Sequence, residues 1–172
     1  MSWLFSKRWL RDLLQDYKNQ AVRAIEKEIE RAPGTGDDAA ILDRIVAQHV
    51  PRVPTVQWER GKWAAEDTLI RPEGVSHPIA ARGSVRGTAY IWQVPFQGDE
   101  KLFQYTPNTF CTVFPKALVQ RAHLVFRFEY PTSLSEDEVK SKLNRDIAYE
   151  RQLLDQYLAF TRQDVEQFQA EL

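Results

Sequence analysis

Residues 123–130 read HLVFRFEY. Leu124, Phe126, Phe128 and Tyr130 alternate with His123, Val125, Arg127 and Glu129. An apolar and aromatic side opposite a charged side is the signature of an antiparallel strand with one buried face. Pro131 closes the strand, because proline cannot donate to a ladder. Four residues on, Ser135 followed by Glu138 forms a capping box, which predicts a helix from Glu136. No proline or glycine interrupts 136–172, so that helix is expected to run to the end, roughly 50 Å at ~1.5 Å per residue.

Working back from residue 123, 117–120 is expected to be a neighbouring strand. Residues 88–96 form another, with Tyr90, Trp92, Val94 and Phe96 on one face and Ala89, Ile91 and Gln93 on the other. Gln97-Gly98-Asp99 reads as a turn. Val56 and Trp58 begin a period of two, giving a strand over about 56–64 that Gly61 interrupts. Residues 71–87 (RPEGVSHPIAARGSVRG) read as a loop rich in proline, glycine and arginine. Toward the N-terminus the period becomes helical. Leu10, Leu13, Leu14, Tyr17, Ala21, Ile25 and Ile29 recur at three and four residues, predicting a helix over 2–31. Ala32-Pro33-Gly34 stops it. Asp37 is placed to cap a short helix to about His49, which Pro51 and Pro54 end.

These elements predict an α+β fold. An antiparallel sheet is flanked by a long N-terminal helix, a short second helix and a long C-terminal helix. At 172 residues the expectation is one domain, with a helical part over 1–50, a sheet part over 51–131 and the helix over 135–172. With 43% apolar and 12% aromatic residues, the chain can fill a core. One cysteine, Cys111, excludes a disulfide framework and a multi-cysteine zinc site. No apolar run reaches the length of a membrane span, and the charged start MSWLFSKRWLRDLL lacks a secretory pattern. The expectation is a soluble, cytoplasmic chain with no membrane partner.

Lysine and arginine total 23 against 24 acidic residues, which excludes a polybasic partner-seeking protein. The charge is uneven. Residues 52–127 carry 10 basic and 6 acidic side chains, a surplus of 4, while 135–172 carry 5 and 9, a deficit of 4. The two regions are expected to complement each other, within one fold or between subunits. Along the C-terminal helix, Leu154, Leu158, Val165 and Phe168 fall at heptad-like steps, with Arg151 and Thr161 at the missing positions. That seam suits pairing with another helix, either the chain's own or a partner's. It is the expected interface for a homo-oligomer or a partner protein. A nucleic-acid surface is the alternative, built from Arg60, Lys62, Trp63, Arg82 and Arg86 with Arg71 nearby. Guanidinium groups interleaved with aromatics bind strand backbones and stack bases.

Reactive constellations are not legible. His49, His77 and His123 stand apart from one another and from Cys111, so neither a metal site nor a cofactor site is expected. Cys111, in TFCTVF, reads as a small hydrophobe. Asp99 and Glu100 share a turn that offers no separation of their pKa values. Residues 32–38 (APGTGDD) lack the lysine of a phosphate-binding loop. No catalytic residue is assigned.

Five stretches together carry a resemblance. VPFQGDEKLFQYTPNTF (94–110), followed by FPKALV (114–119) and HLVFRFEY (123–130), resembles a "VP(Y/F)xGDxxLFxxxPSTF" run and strand pair in a group of uncharacterised bacterial proteins. AFTRQDVEQF (159–168) is similar to their "WVRADVEAFN", and EIER (28–31) to the end of their first helix. Asn108 stands where that pattern has Ser. In that group such a region precedes a restriction-endonuclease-type domain with an acidic residue and an E-x-K element. No position in the matching stretches corresponds to that element, so no catalytic residue is carried over. The resemblance implies an accessory module for assembly, or for control of a linked or partner nuclease, in an anti-phage or restriction setting.

Overall fold

The computed structural model describes residues 2–31, 38–71 and 83–171. The fold is α+β. In chain order the elements are β1 (Ser2–Trp3), β2 (Arg8–Trp9), α1 (Leu10–Arg31), α2 (Asp38–His49), β3 (Thr55–Val56), β4 (Lys62–Ile70), β5 (Val85–Gln97), β6 (Tyr105–Thr106), β7 (Lys116–Gln120), β8 (His123–Pro131) and α3 (Glu136–Glu171). The chain divides into two compact units. One is drawn from Met1–Trp3, Val56–Phe96 and Pro115–Leu153, and the other from Leu4–Thr55, Gln97–Phe114 and Leu154–Leu172.

The first unit holds the sheet, in the order β1-β7-β8-β5-β3, with β4 also paired to β5. β8 lies antiparallel to β5, setting Leu124 opposite Val94, Phe126 opposite Trp92 and Phe128 opposite Tyr90. The alternation in HLVFRFEY therefore meets the matching alternation in β5, and Leu124, Val94, Phe126 and Trp92 are buried together. Arg121 and Ala122 join β7 to β8 with φ of 47° and 62°. Two left-handed residues in succession are what a two-residue hairpin loop needs. The strand expected over 56–64 takes another form. After β3 the chain makes a 3-10 turn, Trp58–Arg60, and β4 then runs on to Ile70. Trp58 turns inward against Trp92 and Phe126, with ring centroids 5.4 Å and 6.0 Å away. A Cβ on Gly61 would stand 2.1 Å from Trp92 Nε1, so only glycine lets the backbone pass that ring. The loop expected over 71–87 gives up its end, since Val85 to Gly87 belong to β5. Its residues 72–82 lie outside the described residues. Ser135 and Glu138 close the capping box that opens α3, with Ser135 Oγ donating to Glu138 Oε2 at 2.8 Å and Ser135 N at 2.9 Å.

In the second unit α1 begins at Leu10, not at residue 2. Phe5 has φ of 55°, which ends any helical run, and its ring is buried on Phe103 (5.8 Å) and Tyr157 (5.1 Å). Burial of Phe5 and the pairing of β2 with β6 hold the residues before Leu10 out of the expected helix. The proposed stop at Ala32-Pro33-Gly34 and the Asp37 cap lie outside the described residues. The stretch 97–110 owes its spacing to packing. Gly98 has φ of 115°, and a Cβ there would meet the carbonyl oxygens of Arg52 and Val53 at 2.9 Å. Asp99 grips Arg52 twice: its Oδ2 accepts the Arg52 N–H at 2.7 Å, and its own N–H donates to the Arg52 carbonyl at 2.8 Å. A 3-10 turn over Glu100–Gln104 then buries Leu102 and Phe103. Thr106 Oγ1 donates to the Phe5 carbonyl.

Candidate functional site

The helical seam comes first. Leu154, Leu158, Val165 and Phe168 are at most 6% exposed within this chain. Val165 and Phe168 share a core cluster with Leu10, Leu13, Leu14 and Leu102. Thr161, at a polar seam position, is fully buried and donates its hydroxyl to the Tyr157 carbonyl at 2.9 Å, so it demands no outside partner. The other polar position, Arg151, lies over the Trp58 ring at 5.3 Å. The apolar stripe is buried within this chain, with Val165 and Phe168 packed in one cluster with α1 and Leu102.

The nucleic-acid set is scattered. Arg82 lies outside the described residues. Arg60 donates through Nη1 to Gln57 Oε1 at 2.9 Å. Across β4 and β5, Lys62 opposes Gln93, Trp63 opposes Trp92 and Leu69 opposes Arg86. Side chains alternate along a strand, so Trp63 and Arg86 share one face and Lys62 points from the other. Six residues of strand separate the Trp63 and Arg86 positions, about 20 Å at ~3.4 Å per residue. The described members are spread over the 3-10 turn, β4 and β5 rather than gathered in a single patch.

What the sequence marked only as far as Ala64 is β4. Nine of its residues pair with β5, and among the described residues no strand pairs with its outer edge. Lys62 to Asp67 and Leu69 are exposed, and Thr68 and Ile70 are half-buried. Trp63 is 47% and Leu69 66% exposed. The inner side of the strand is firmly held. Trp63 stacks on Trp92 with centroids 5.3 Å apart and planes 4° from parallel, and Trp92 packs on Phe126 at 5.6 Å. On the other face Arg127 of β8 reaches over β5. Its Nη1 donates to Glu66 Oε1 at 2.6 Å, its Nη2 to Thr68 Oγ1 at 3.2 Å, and its Nε to Glu129 Oε1 at 2.7 Å. The bonds to Glu129 and then to Glu66 raise the Arg127 pKa above its ordinary value. Arg127 thus bridges Glu66 and Glu129, one positive charge shared by two carboxylates. An edge strand held this way presents unpaired N–H and C=O groups and is a ready template for another strand.

A second feature of the sheet unit is a cavity of about 1110 Å³ bordered by Trp3, Lys116, Tyr130, Asp146, Tyr149 and Glu150, among others. Its polar groups are occupied with one another. Tyr130 donates to Asp146 Oδ2 at 2.7 Å, Glu150 Oε2 accepts the Lys116 N–H at 3.0 Å, and Lys116 Nζ sits 4.2 Å from the centre of the Trp3 ring. Burial, reinforced by Asp146, pushes the Tyr130 phenol well above the usual tyrosine value. Burial also raises the Glu150 carboxyl, against the Lys116 hydrogen bond that lowers it.

Chemistry-bearing residues elsewhere have structural attachments. His49 Nδ1 is 2.8 Å from the Ile45 carbonyl, and His123 Nδ1 is 2.9 Å from that of Arg121. His77 lies outside the described residues. Cys111 is half-buried, and its carbonyl accepts the Tyr157 hydroxyl at 2.7 Å. The chain's one E-x-K tripeptide, Glu138-Val139-Lys140, opens α3, where Glu138 serves the cap. Asp164, which sequence reasoning passed over, is nearly buried and accepts the Asn108 N–H at 2.7 Å. Among the described residues no group of three or more His, Cys, Asp or Glu side chains converges to hold a metal ion, and no helix is long and apolar enough to cross a membrane. Comparison with protein-family models, with curated proteins and with solved structures found no match.

Proposed function

We propose that this chain is a non-catalytic assembly module that joins a second copy of itself through the outer edge of β4. The observation that carries this reading is the exposure of a nine-residue edge strand that bears Trp63 and Leu69 and contains no proline or glycine. Sheets commonly add a strand at such an edge, main-chain bonds giving affinity and side chains giving selectivity. The pairing of Arg127 with Glu66 supports it too, since it partly offsets a charge that otherwise guards an edge. The module's task, on the resemblance of 94–110, is to assemble or regulate a linked or partner nuclease in a bacterial defence-type system, inside the cell.

Sedimentation equilibrium over a wide concentration range tests it. The reading expects a reversible dimer and is overturned by a monomer at every concentration. The second reading is a nucleic-acid sensor, favoured by the exposed Trp63 ring, on which a base can stack. It expects binding of single-stranded DNA or RNA that weakens as salt rises, and retention at low salt that Trp63→Ala and Arg86→Ala both reduce.

A further inference from the structure

We infer that the two copies meet as antiparallel β4 strands with the two-fold axis between their Glu66 residues, an inference that rests on the assembly reading above. The pattern on the strand is symmetric about that residue. Glu66 is the fifth of nine residues, and the two exposed large apolar side chains, Trp63 and Leu69, stand three positions to either side. Both odd-numbered positions lie on the Trp92 face, as their partners in β5 require.

An antiparallel neighbour sets opposed side chains on the same face. Pairing about Glu66 therefore brings each Leu69 against Trp63 of the second copy and buries both, twice over. The same register sets Lys62 against Ile70, Ala64 against Thr68 and Ala65 against Asp67. Every bulky or charged side chain other than Glu66 then meets one that it does not repel. A slip of one residue sends Leu69 to the wrong face. A slip of two shortens the overlap from nine residues to seven and removes the contact between Leu69 and Trp63.

The register has one cost, two Glu66 carboxylates side by side. Like charges directly opposite destabilise a sheet. Here each Glu66 is bridged to Arg127 Nη1 at 2.6 Å, a guanidinium that also holds Glu129 at 2.7 Å, so the repulsion is partly offset. The positive charge comes from β8, two strands in, so it leaves the outer edge of β4 free to pair. The contact is isologous and closes at two copies.

Disulfide trapping reads the register directly, in a Cys111→Ser background that keeps the carbonyl used by Tyr157. Directly opposed residues of an antiparallel pair have Cα atoms about 4.5–5.5 Å apart, inside disulfide range. Glu66→Cys is expected to form a covalent dimer under mild oxidation. Its rate is expected to exceed that of Gln163→Cys, an exposed collision control on α3, by roughly a hundredfold at micromolar protein. Ala64→Cys, opposed by Thr68 in this register, is expected to cross-link no faster than the control. A dimeric chain in which Ala64→Cys traps and Glu66→Cys does not overturns the register and leaves the assembly reading standing. A dimeric chain in which neither traps faster than the control does the same. A wild-type chain that stays monomeric in sedimentation overturns both.

Discussion

Trp63 and Trp92 lie face to face across the β4–β5 pair, 5.3 Å between centroids and 4° from parallel, yet one is 47% exposed and the other 7%. The stack passes from the core of the sheet unit to its surface within one ring contact. Trp92 is enclosed by Trp58, Phe126 and Trp63. Trp63 has a ring held by the core and an outer side available to a neighbour.

The two rings are therefore unequal. Trp92→Ala is expected to cost about 3–5 kcal/mol, the usual range for emptying a buried aromatic site. Trp63→Ala is expected to cost about 1 kcal/mol, the value of an aromatic pair with little loss of burial. Urea denaturation of both variants, at a concentration where the chain is monomeric, checks the order. Equal costs would contradict the placement of Trp63 at the rim.

Tyr130 gives a titration with a defined sign. Burial and the hydrogen bond to Asp146 Oδ2 raise its phenol above the ordinary value of 10.0. A raised folded-state pKa contributes stability that is complete below the unfolded value and declines as pH climbs from there toward the folded one. Stability should fall above about pH 10, and Tyr130→Phe should flatten that fall while costing about 1–2 kcal/mol near neutrality. Alkaline spectrophotometric titration of the folded chain should show one tyrosine fewer ionising in the ordinary range than in Tyr130→Phe plus its missing ring. An unchanged alkaline stability profile in the variant would remove this assignment.

Glu150 has the opposite consequence near neutrality. Burial holds its carboxyl above the ordinary Glu value, so the ionised form is less favoured in the folded chain than in the unfolded one. Its contribution is complete below the ordinary value and is lost as pH rises through the shifted one. Glu150→Gln keeps an acceptor for the Lys116 N–H and drops the charge. The variant should be at least as stable as the parent at about pH 7, with the difference shrinking toward about pH 4. Thermal melts at both pH values decide it, and a variant weaker at neutral pH contradicts the account.

How far the fold could be read from the sequence depends on whether the deciding contact is local. The capping box of Ser135 and Glu138 lies within four residues, and the structure closes it as the sequence implies. HLVFRFEY announced β8 because one of its faces is buried. β4 gave little sign beyond Ala64. Its sequence, KWAAEDTLI, is exposed on most positions of both faces, so burial writes no period of two into it. It is a strand because β5 offers nine residues to pair with. The apolar spacing of the N-terminal helix begins at Leu10, and the residues before it depart from the expected helix because Phe5 is fixed by Phe103 and Tyr157, about 100 and 150 residues later.

The candidate site follows the same logic. Periodicity revealed the stripe Leu154, Leu158, Val165 and Phe168 but could not say what it packs against, and for Val165 and Phe168 the neighbours come from α1 and Leu102. The membership of Trp63 in a surface feature was legible as an aromatic among basic residues. Its real neighbours were not, because the stack on Trp92 depends on a register that no local signal fixes. Arg127 stood on the charged face of β8 as expected, while its reach to Glu66 depends on the β8-β5-β4 order of the sheet.

Leu69→Lys gives the most direct test of assembly through β4. Leu69 is 66% exposed and makes few demands on the fold, so the variant should keep the parent's melting behaviour as a monomer. Light scattering of the two chains at matched concentration should give twice the monomer mass for the parent and the single mass for Leu69→Lys. A parent that scatters as a monomer, or a variant that remains as dimeric as the parent, would contradict the account.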